Sequence, residues 1–267
     1  RDPQKAFKSV LVAGPNGKGS VAAMVDCALG KSGLRVGRYT SPHLVNLEER
    51  FAIDGAPVRT EVLRAMIDEV RATIDRLIAT GGLEAPPTFF EVTTAIGFEL
   101  FRRAGVEIAV LEVGLGGRLD STNIVQPIAA AITSIDFDHE QYLGNTLAAI
   151  AAEKAGVIRR DIPIVVGPVP KEARDVLVSM CDLAGAQFIE ADDANIRIKS
   201  KIEDGRTILH LRTPTRDYGW VPLGLRGDHQ VPNTLVAVRL LEELGRVVNA
   251  LAESMVAGIR GDKGGGR

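Results

Sequence analysis

Gly14-Pro15-Asn16-Gly17-Lys18-Gly19-Ser20 joins the apolar run Ser9-Val10-Leu11-Val12-Ala13 to a small-residue stretch, Val21 to Lys31, that Gly33 closes. The run suits a buried strand and the stretch a helix. A phosphate needs closely approaching backbone N–H groups, a cation and a helix N-terminus. The glycines allow the approach, Lys18 supplies the charge, and Ser20 opens the helix with a hydroxyl suited to Mg²⁺. The general pattern G-x-x-x-x-G-K-[ST] does not fit, because position 12 is Val12 and Gly19 separates Lys18 from Ser20. A plain glycine-rich strand–helix turn is the competing reading. The Lys-Gly-Ser placement favours nucleotide binding.

Outward from this loop, strands alternate with helices. Leu34 to Thr40 reads as a strand. Thr60 is expected to cap a helix in which Leu63, Met66, Ile67, Val70 and Ile74 recur at spacings of three and four, stopped by Gly81-Gly82. Glu91 to Arg103 reads as a helix. Ile108 to Leu111 and Ile128 to Ile135 read as strands covered on both faces. Asn145 to Arg159 is a helix, Ile162 to Val166 a strand and Pro170 to Ala184 a helix. The alternation predicts an α/β fold: a mostly parallel sheet flanked by helices. From about 190 to 226 the texture changes to short segments around Asp204-Gly205, a type I′ hairpin signal, and predicts a small antiparallel β appendage. Val231 to Leu244 and Val248 to Gly258 return to helix. The tail 261–267 has no apolar content.

The chain has 267 residues, 45% hydrophobic and 25% charged, with a net charge of -2. That composition is globular, and near-neutral charge argues against a nucleic-acid partner. No apolar run reaches the ~18 residues of a membrane-spanning helix, and no signal peptide is read. Cys27 and Cys181 fall in helices without metal-ligand spacing, which suits a reducing, cytoplasmic setting. A monomer is the default expectation.

Three downstream residues carry chemistry. Glu112 ends a buried strand ahead of Gly114-Leu115-Gly116-Gly117, and the carboxyl end of a parallel strand faces the ligand crevice. A buried carboxylate needs a partner: Mg²⁺ beside a phosphate loop, or an ion pair with Arg118. His139 follows another strand in Asp136-Phe137-Asp138-His139. Lys154 shares a stripe with Leu147, Ile150, Ala151 and Ile158, on the apolar face of its helix. A buried lysine is partly neutral, and a neutral amine captures carbon dioxide as a carbamate. A snorkelling lysine is the alternative.

Together these stretches resemble the folylpolyglutamate synthase / dihydrofolate synthase family, relatives of the Mur ligases. Gly14 to Ser20 resembles its G-T-N-G-K-G-S loop. Ser41-Pro42-His43-Leu44, with Glu49-Arg50 following, resembles S-P-H-L, and Thr88-Phe89-Phe90-Glu91 resembles T-x-F-E. Glu112 to Asn123 is similar to the family pattern throughout. Asp138-His139 to Leu143-Gly144 resembles D-H-x-x-x-L-G, and Ile150 to Gly156 resembles I-A-x-E-K-A-G. Gly227-Asp228-His229-Gln230 to Asn233 resembles G-x-H-Q-x-x-N.

The resemblance implies a Mur-ligase-like ATP-binding domain over 1–260 and an ATP-dependent ligase that adds L-glutamate to dihydropteroate or a folate through an acyl phosphate. It implies that Gly14, Asn16, Gly17, Lys18, Gly19, Ser20, His229 and Asn233 bind ATP, with Asn233 and His229 on the adenine side. Ser20 and Glu112 would hold one Mg²⁺, and Ser41, Glu112 and His139 a second. Lys154 would be carbamylated. Ser41, Pro42, His43, Leu44, Thr88 and Phe90 would cradle the pterin, with Phe90 as the stacking ring. Two departures stand out. Pro15 replaces the family's threonine, removing an N–H and a hydroxyl. Nothing after residue 260 resembles the family's C-terminal domain of about 100–150 residues, so these 267 residues alone are expected to bind nucleotide weakly and not to ligate. Rival readings are a Mur-type ligase for another carboxylate, a non-catalytic nucleotide-binding module and a small-molecule kinase.

Overall fold

β1 (Lys8–Ala13) lies inside an eight-stranded sheet among the described residues, 2–248 and 251–261 of the computed structural model. Chain order adds α1 (Lys18–Lys31), β2 (Val36–Tyr39), β3 (Phe51–Ile53), β4 (Ala56–Pro57), α2 (Thr60–Ala79), α3 (Phe89–Ala104) and β5 (Ile108–Glu112). Then come β6 (Ala129–Ile132), α4 (Glu140–Leu143), α5 (Leu147–Lys154), β7 (Pro163–Val166), α6 (Lys171–Ala184) and β8 (Gln187–Glu190). The sheet order is β4-β3-β2-β5-β1-β6-β7-β8. Strands β2, β5, β1, β6, β7 and β8 run parallel. The strands that follow β1 first build one side of it, then from β6 onward the other. The loop after β1 therefore opens at a topological switch point, where ligands of open α/β sheets bind.

Period-2 alternation sorts the central strands onto two cores. Val10 and Val12, with Ile108 and Val110, face α1 and the C-terminal helices. Leu11 and Ala13, with Ala109 and Leu111, face α3, α5 and α6. Both sets are fully buried, which is why these strands read as apolar runs without alternation.

The antiparallel appendage is β9 (Arg197–Glu203), β10 (Arg206–Arg212) and β11 (Asp217–Pro222). Asp204 and Gly205 both take positive φ, 50° and 69°, as a type I′ turn requires. Leu209, Leu211, Tyr218 and Val221 pack into the same core as α7 (Gln230–Leu244) and α8 (Leu251–Arg260). The tail read at 261–267 lies, after Gly261, outside the described residues. Among the described residues no helix is long and apolar enough to cross a membrane.

The sheet is mostly parallel, as expected, with an antiparallel edge: β3 pairs antiparallel with β2 and β4 with β3, through a second Asp-Gly turn at Asp54-Gly55 with φ of 52° and 77°. Several element bounds need correction. β8 adds a parallel edge strand beyond those expected from the sequence. Arg59, not Thr60, occupies the N-cap of α2, and no side chain caps it. The strand expected over 128–135 ends at Ile132, and the helix expected over 145–159 ends its α-helical part at Lys154.

Candidate active site

The phosphate loop is held from below. Gly14 has φ 137° and Gly17 φ 81°, both in the region that favours glycine. A Cβ at Gly14 would run into Thr133 Oγ1, and one at Gly17 into Asn233 Oδ1. Thr133, just past β6, donates its hydroxyl to the carbonyls of Asn16 and Ala13. Lys18 Nζ curls back to donate to Gly14 O at 2.8 Å and Pro15 O at 3.3 Å. So Pro15, which lacks a donor, gives the ammonium an acceptor. No side chain caps α1 at Gly17, which leaves its first-turn N–H groups facing the loop.

Replacing Thr133 with Val keeps the volume and removes both hydroxyl bonds. We expect Thr133→Val to lose about 1 kcal/mol of stability by denaturant unfolding, because Asn16 O loses its hydroxyl donor while Ala13 O keeps the Thr133 N–H at 2.8 Å.

Glu112, the last residue of β5, is buried, and its Oε2 accepts the Ser41 N–H at 3.2 Å. Burial pushes its carboxyl above the ordinary carboxylate range, opposed first by the charge of Lys18. Arg118 is not its partner: that guanidinium pairs with Glu153 at 2.9 Å. A Cβ on Gly19 would stand 3.7 Å from Glu112 Oε2, so the carboxylate abuts the first turn of α1.

The Ser41–Leu44 loop is organised by two residues to which the sequence alone assigns no role. Glu49 accepts from the backbone N–H groups of Leu44, Val45 and Asn46 at 2.8, 3.0 and 2.8 Å. Buried Arg50 donates to His43 Nδ1 at 2.9 Å, and its guanidinium carbon lies 5.3 Å from the Phe89 ring centroid. The Ser41–Pro42 peptide is cis. The Leu44 side of the loop is open, with Leu44 itself 92% exposed.

Lys154 closes α5 and is 2% exposed. Burial first, then the charge of Lys18, pulls its amine down to about 8, against Asp138. Glycines bring its segment close to the loop after β5. A Cβ at Gly117 would stand 2.8 Å from Lys154 O, and one at Gly156 would strike the Arg118 backbone. His139 takes φ 48°, and its carbonyl accepts the N–H groups of Tyr142 and Leu143 at 2.8 and 3.1 Å. Its ring is half exposed, with Nε2 3.5 Å from Asp138 Oδ1. Lys18, Ser41, Pro42, His139 and Lys154 meet on one cleft of about 260 Å³.

The other expected residues lie around it. The Phe90 ring covers Gly114, where a Cβ would stand 2.5 Å from Phe90 Cζ, and sits 6.1 Å from the Tyr39 ring. Thr88 is the N-cap of α3, and its hydroxyl and N–H are both engaged with Glu91 in a capping box. This T-x-x-E signal, worth about 1 kcal/mol, is readable in the sequence and accounts for Thr88 without a ligand. Asn233 stands over Gly17, and His229 reaches it through Gln230.

The Mur ligase middle-domain profile matches residues 60–241. The chain belongs to the Mur ligase superfamily. Its matched relatives and solved structures include folylpolyglutamate synthases. The Mycobacterium tuberculosis dihydrofolate synthase/folylpolyglutamate synthase is 37% identical over 251 residues, which cover 90% of this chain and 52% of that protein. The apo form of L. casei FPGS superposes with a TM-score of 0.92 at 32% identity, covering 97% of this chain and 63% of that one. An FPGS-AMPPCP-folate complex gives the same TM-score, 0.92, at 32% identity, again over 97% of this chain and 63% of that one. This Mur ligase chain spans about half the length of the curated relatives it matches, 56%, 55% and 52% for three of them.

Among the described residues no three of His, Cys, Asp and Glu converge to hold a metal by themselves. The cleft instead offers single oxygen donors beside a phosphate loop. That set fits Mg²⁺, which keeps waters and takes one or two carboxylates plus substrate phosphates. Neither cysteine is in a disulfide, and burial pushes the Cys181 thiol up to about 11, which leaves it inert.

Proposed function

We propose that this chain forms the nucleotide-binding and phosphoryl-transferring part of an ATP-dependent ligase that joins the amine of glutamate to a pterin-linked carboxylate. The observation that carries this reading is the meeting of Lys18, Ser41, His139 and Lys154 on one cleft, with buried Glu112 bonded to Ser41.

The carboxylate oxygen attacks the terminal phosphorus of ATP, giving an acyl phosphate and ADP. The amine of glutamate then attacks the acyl carbon, and inorganic phosphate and a proton leave. Charge spreads over the transferring phosphoryl oxygens, so fixed cations and N–H groups do most of the catalysis. Lys18 turns from the loop carbonyls to the phosphates, and the uncapped first turn of α1 donates N–H groups beside it. Ser20 and Glu112 would hold one Mg²⁺, and Ser41, Glu112 and His139 a second. The metal would neutralise phosphate charge and align the oxygens. Lys154, kept partly neutral by burial, adds carbon dioxide to form an N-carboxylate with loss of a proton, and so becomes an anion in the cleft.

Phe90, with the Ser41–Leu44 loop, receives the pterin. Phe90→Ala should raise the KM for the pterin about tenfold or more and leave that for ATP unchanged, since an aromatic stack is worth about 1–3 kcal/mol. Unchanged pterin affinity would point to another carboxylate substrate. The decisive measurement for the whole reading is phosphate release from ATP by the full-length protein. Release that requires both a pteroate or folate and glutamate supports it; failure with every pterin overturns it.

A further inference from the structure

The end of α5 is stitched to the loop that leaves Glu112, on both sides of Lys154. Before Lys154, the carbonyl of Glu153 accepts the Arg118 N–H at 3.1 Å, and its carboxylate pairs with the Arg118 guanidinium. After Lys154, the carbonyl of Gly156 accepts from Asn123 Nδ2 at 2.8 Å and from one Arg159 guanidinium nitrogen at 2.7 Å. A second Arg159 nitrogen donates to Asn123 O at 3.0 Å and to Asn123 Oδ1 at 2.7 Å. A guanidinium only donates, so the Asn123 amide has one orientation: oxygen to Arg159, nitrogen to Gly156 O. The Arg159 fork thus closes a ring through Asn123 and Gly156. Burial pulls this guanidinium down, and no carboxylate among the described residues opposes it. Its donors go to neutral oxygens of the backbone and of Asn123, so it acts as a clamp and not as half of an ion pair.

We propose that Arg159 is a positioning residue for Lys154: through Asn123 it fixes the end of α5 against the Glu112 loop and holds the Lys154 nitrogen where a carbamate anion is favoured. In that step the neutral amine bonds to the carbon of dissolved carbon dioxide, and its proton passes to solvent. The charge of Lys18 opposes the ammonium form of Lys154 and attracts the carbamate, so the equilibrium depends on how the two nitrogens are held. This role rests on the carbamate reading proposed above. Arg159 does not line the cleft and acts only through the backbone it fixes.

The experiment loads the full-length protein with ¹³C-bicarbonate and follows the carbamate carbon by NMR, with Lys154→Met as the variant that assigns the signal. Arg159→Met keeps the stem and removes the fork. It should need about tenfold more bicarbonate for a half-maximal signal, no more than the loss of one charge-assisted hydrogen bond. Asn123→Asp still accepts from Arg159 but sets a carboxylate oxygen against Gly156 O, and should raise the half-point about threefold or more. Turnover of both variants should fall in ordinary buffer and return to within about threefold of wild type at saturating bicarbonate. A merely structural Arg159 would lower the unfolding temperature and leave the half-point in place. A half-point within about twofold of wild type in either folded variant overturns this proposal alone. A wild type without a carbamate signal at any bicarbonate concentration overturns the carbamate reading, and this proposal with it.

Discussion

Lys18→Met in the full-length protein should slow the proposed glutamate ligation about a thousandfold and weaken ATP binding at least tenfold, the scale of removing a fixed charge from a developing phosphoryl anion. The reason lies in where the ammonium stands. It rests on Gly14 O and Pro15 O, two carbonyls of its own loop, a short rotation from the cleft. Those bonds hold it in place without neutralising it, since a carbonyl carries only a partial charge. It is also the first charge opposing the burial of Glu112, so cation and carboxylate act in one electrostatic field. Methionine keeps the stem and removes the charge, leaving the loop geometry to glycine and Thr133. Steady-state phosphate release and an ATP titration check both numbers. Activity of the Lys18→Met enzyme within about threefold of wild type would mean that the loop does not grip phosphate.

Much of this arrangement is legible in the sequence because the signals are local. The strand ends at Ala13 and Glu112 follow from apolar runs stopped by glycine. Lys154 stands out by its place in an apolar stripe, and it is buried as that stripe requires. The Asp204-Gly205 turn can be read directly, whereas Asp54-Gly55 carries the same signal and escapes notice. Its flanking strands, Phe51–Ile53 and Ala56–Pro57, are too short to show a period, and their pairing depends on β2 already being in place. β8 is a half-exposed edge strand without an apolar run. Thr133 is silent in the sequence, and Glu49 and Arg50 stand in a motif without a role, for a different reason. Thr133 acts on Asn16 across 117 residues of chain, and Asn233 meets Gly17 only because α7 packs beside α1. Such contacts belong to the packing of layers, which no window of sequence contains. Thr88 is the converse case: a capping box explains it fully, and the resemblance alone suggests a ligand.

Lys154→Met should make the protein more stable at pH 7 while lowering the proposed ligation by about a hundredfold or more, the usual cost of a lost preorganised charge. Folding leaves this residue 2% exposed, and among the described residues its amine makes no hydrogen bond or ion pair. Burial and the nearby Lys18 pull it from 10.5 to about 8. The sign follows from proton counting. Between about 8 and 10.5 the unfolded chain holds more of this proton than the folded one, so stability rises with pH across that window. Below about 8 the full penalty is present, on the order of 3 kcal/mol. Methionine matches the stem, fills the same space and carries no charge to desolvate. Its advantage in denaturant unfolding should therefore be largest at pH 7 and shrink towards pH 10, provided both proteins are studied without nucleotide. The lost activity has a separate origin, since a thioether cannot add carbon dioxide and the cleft then lacks its proposed anion. Wild-type turnover should accordingly fall in buffers stripped of carbon dioxide and recover on adding bicarbonate, and Lys154→Met should respond to neither. A variant less stable than wild type by the same amount at every pH would mean that the amine is paired in the folded protein, and the carbamate reading would fall with it.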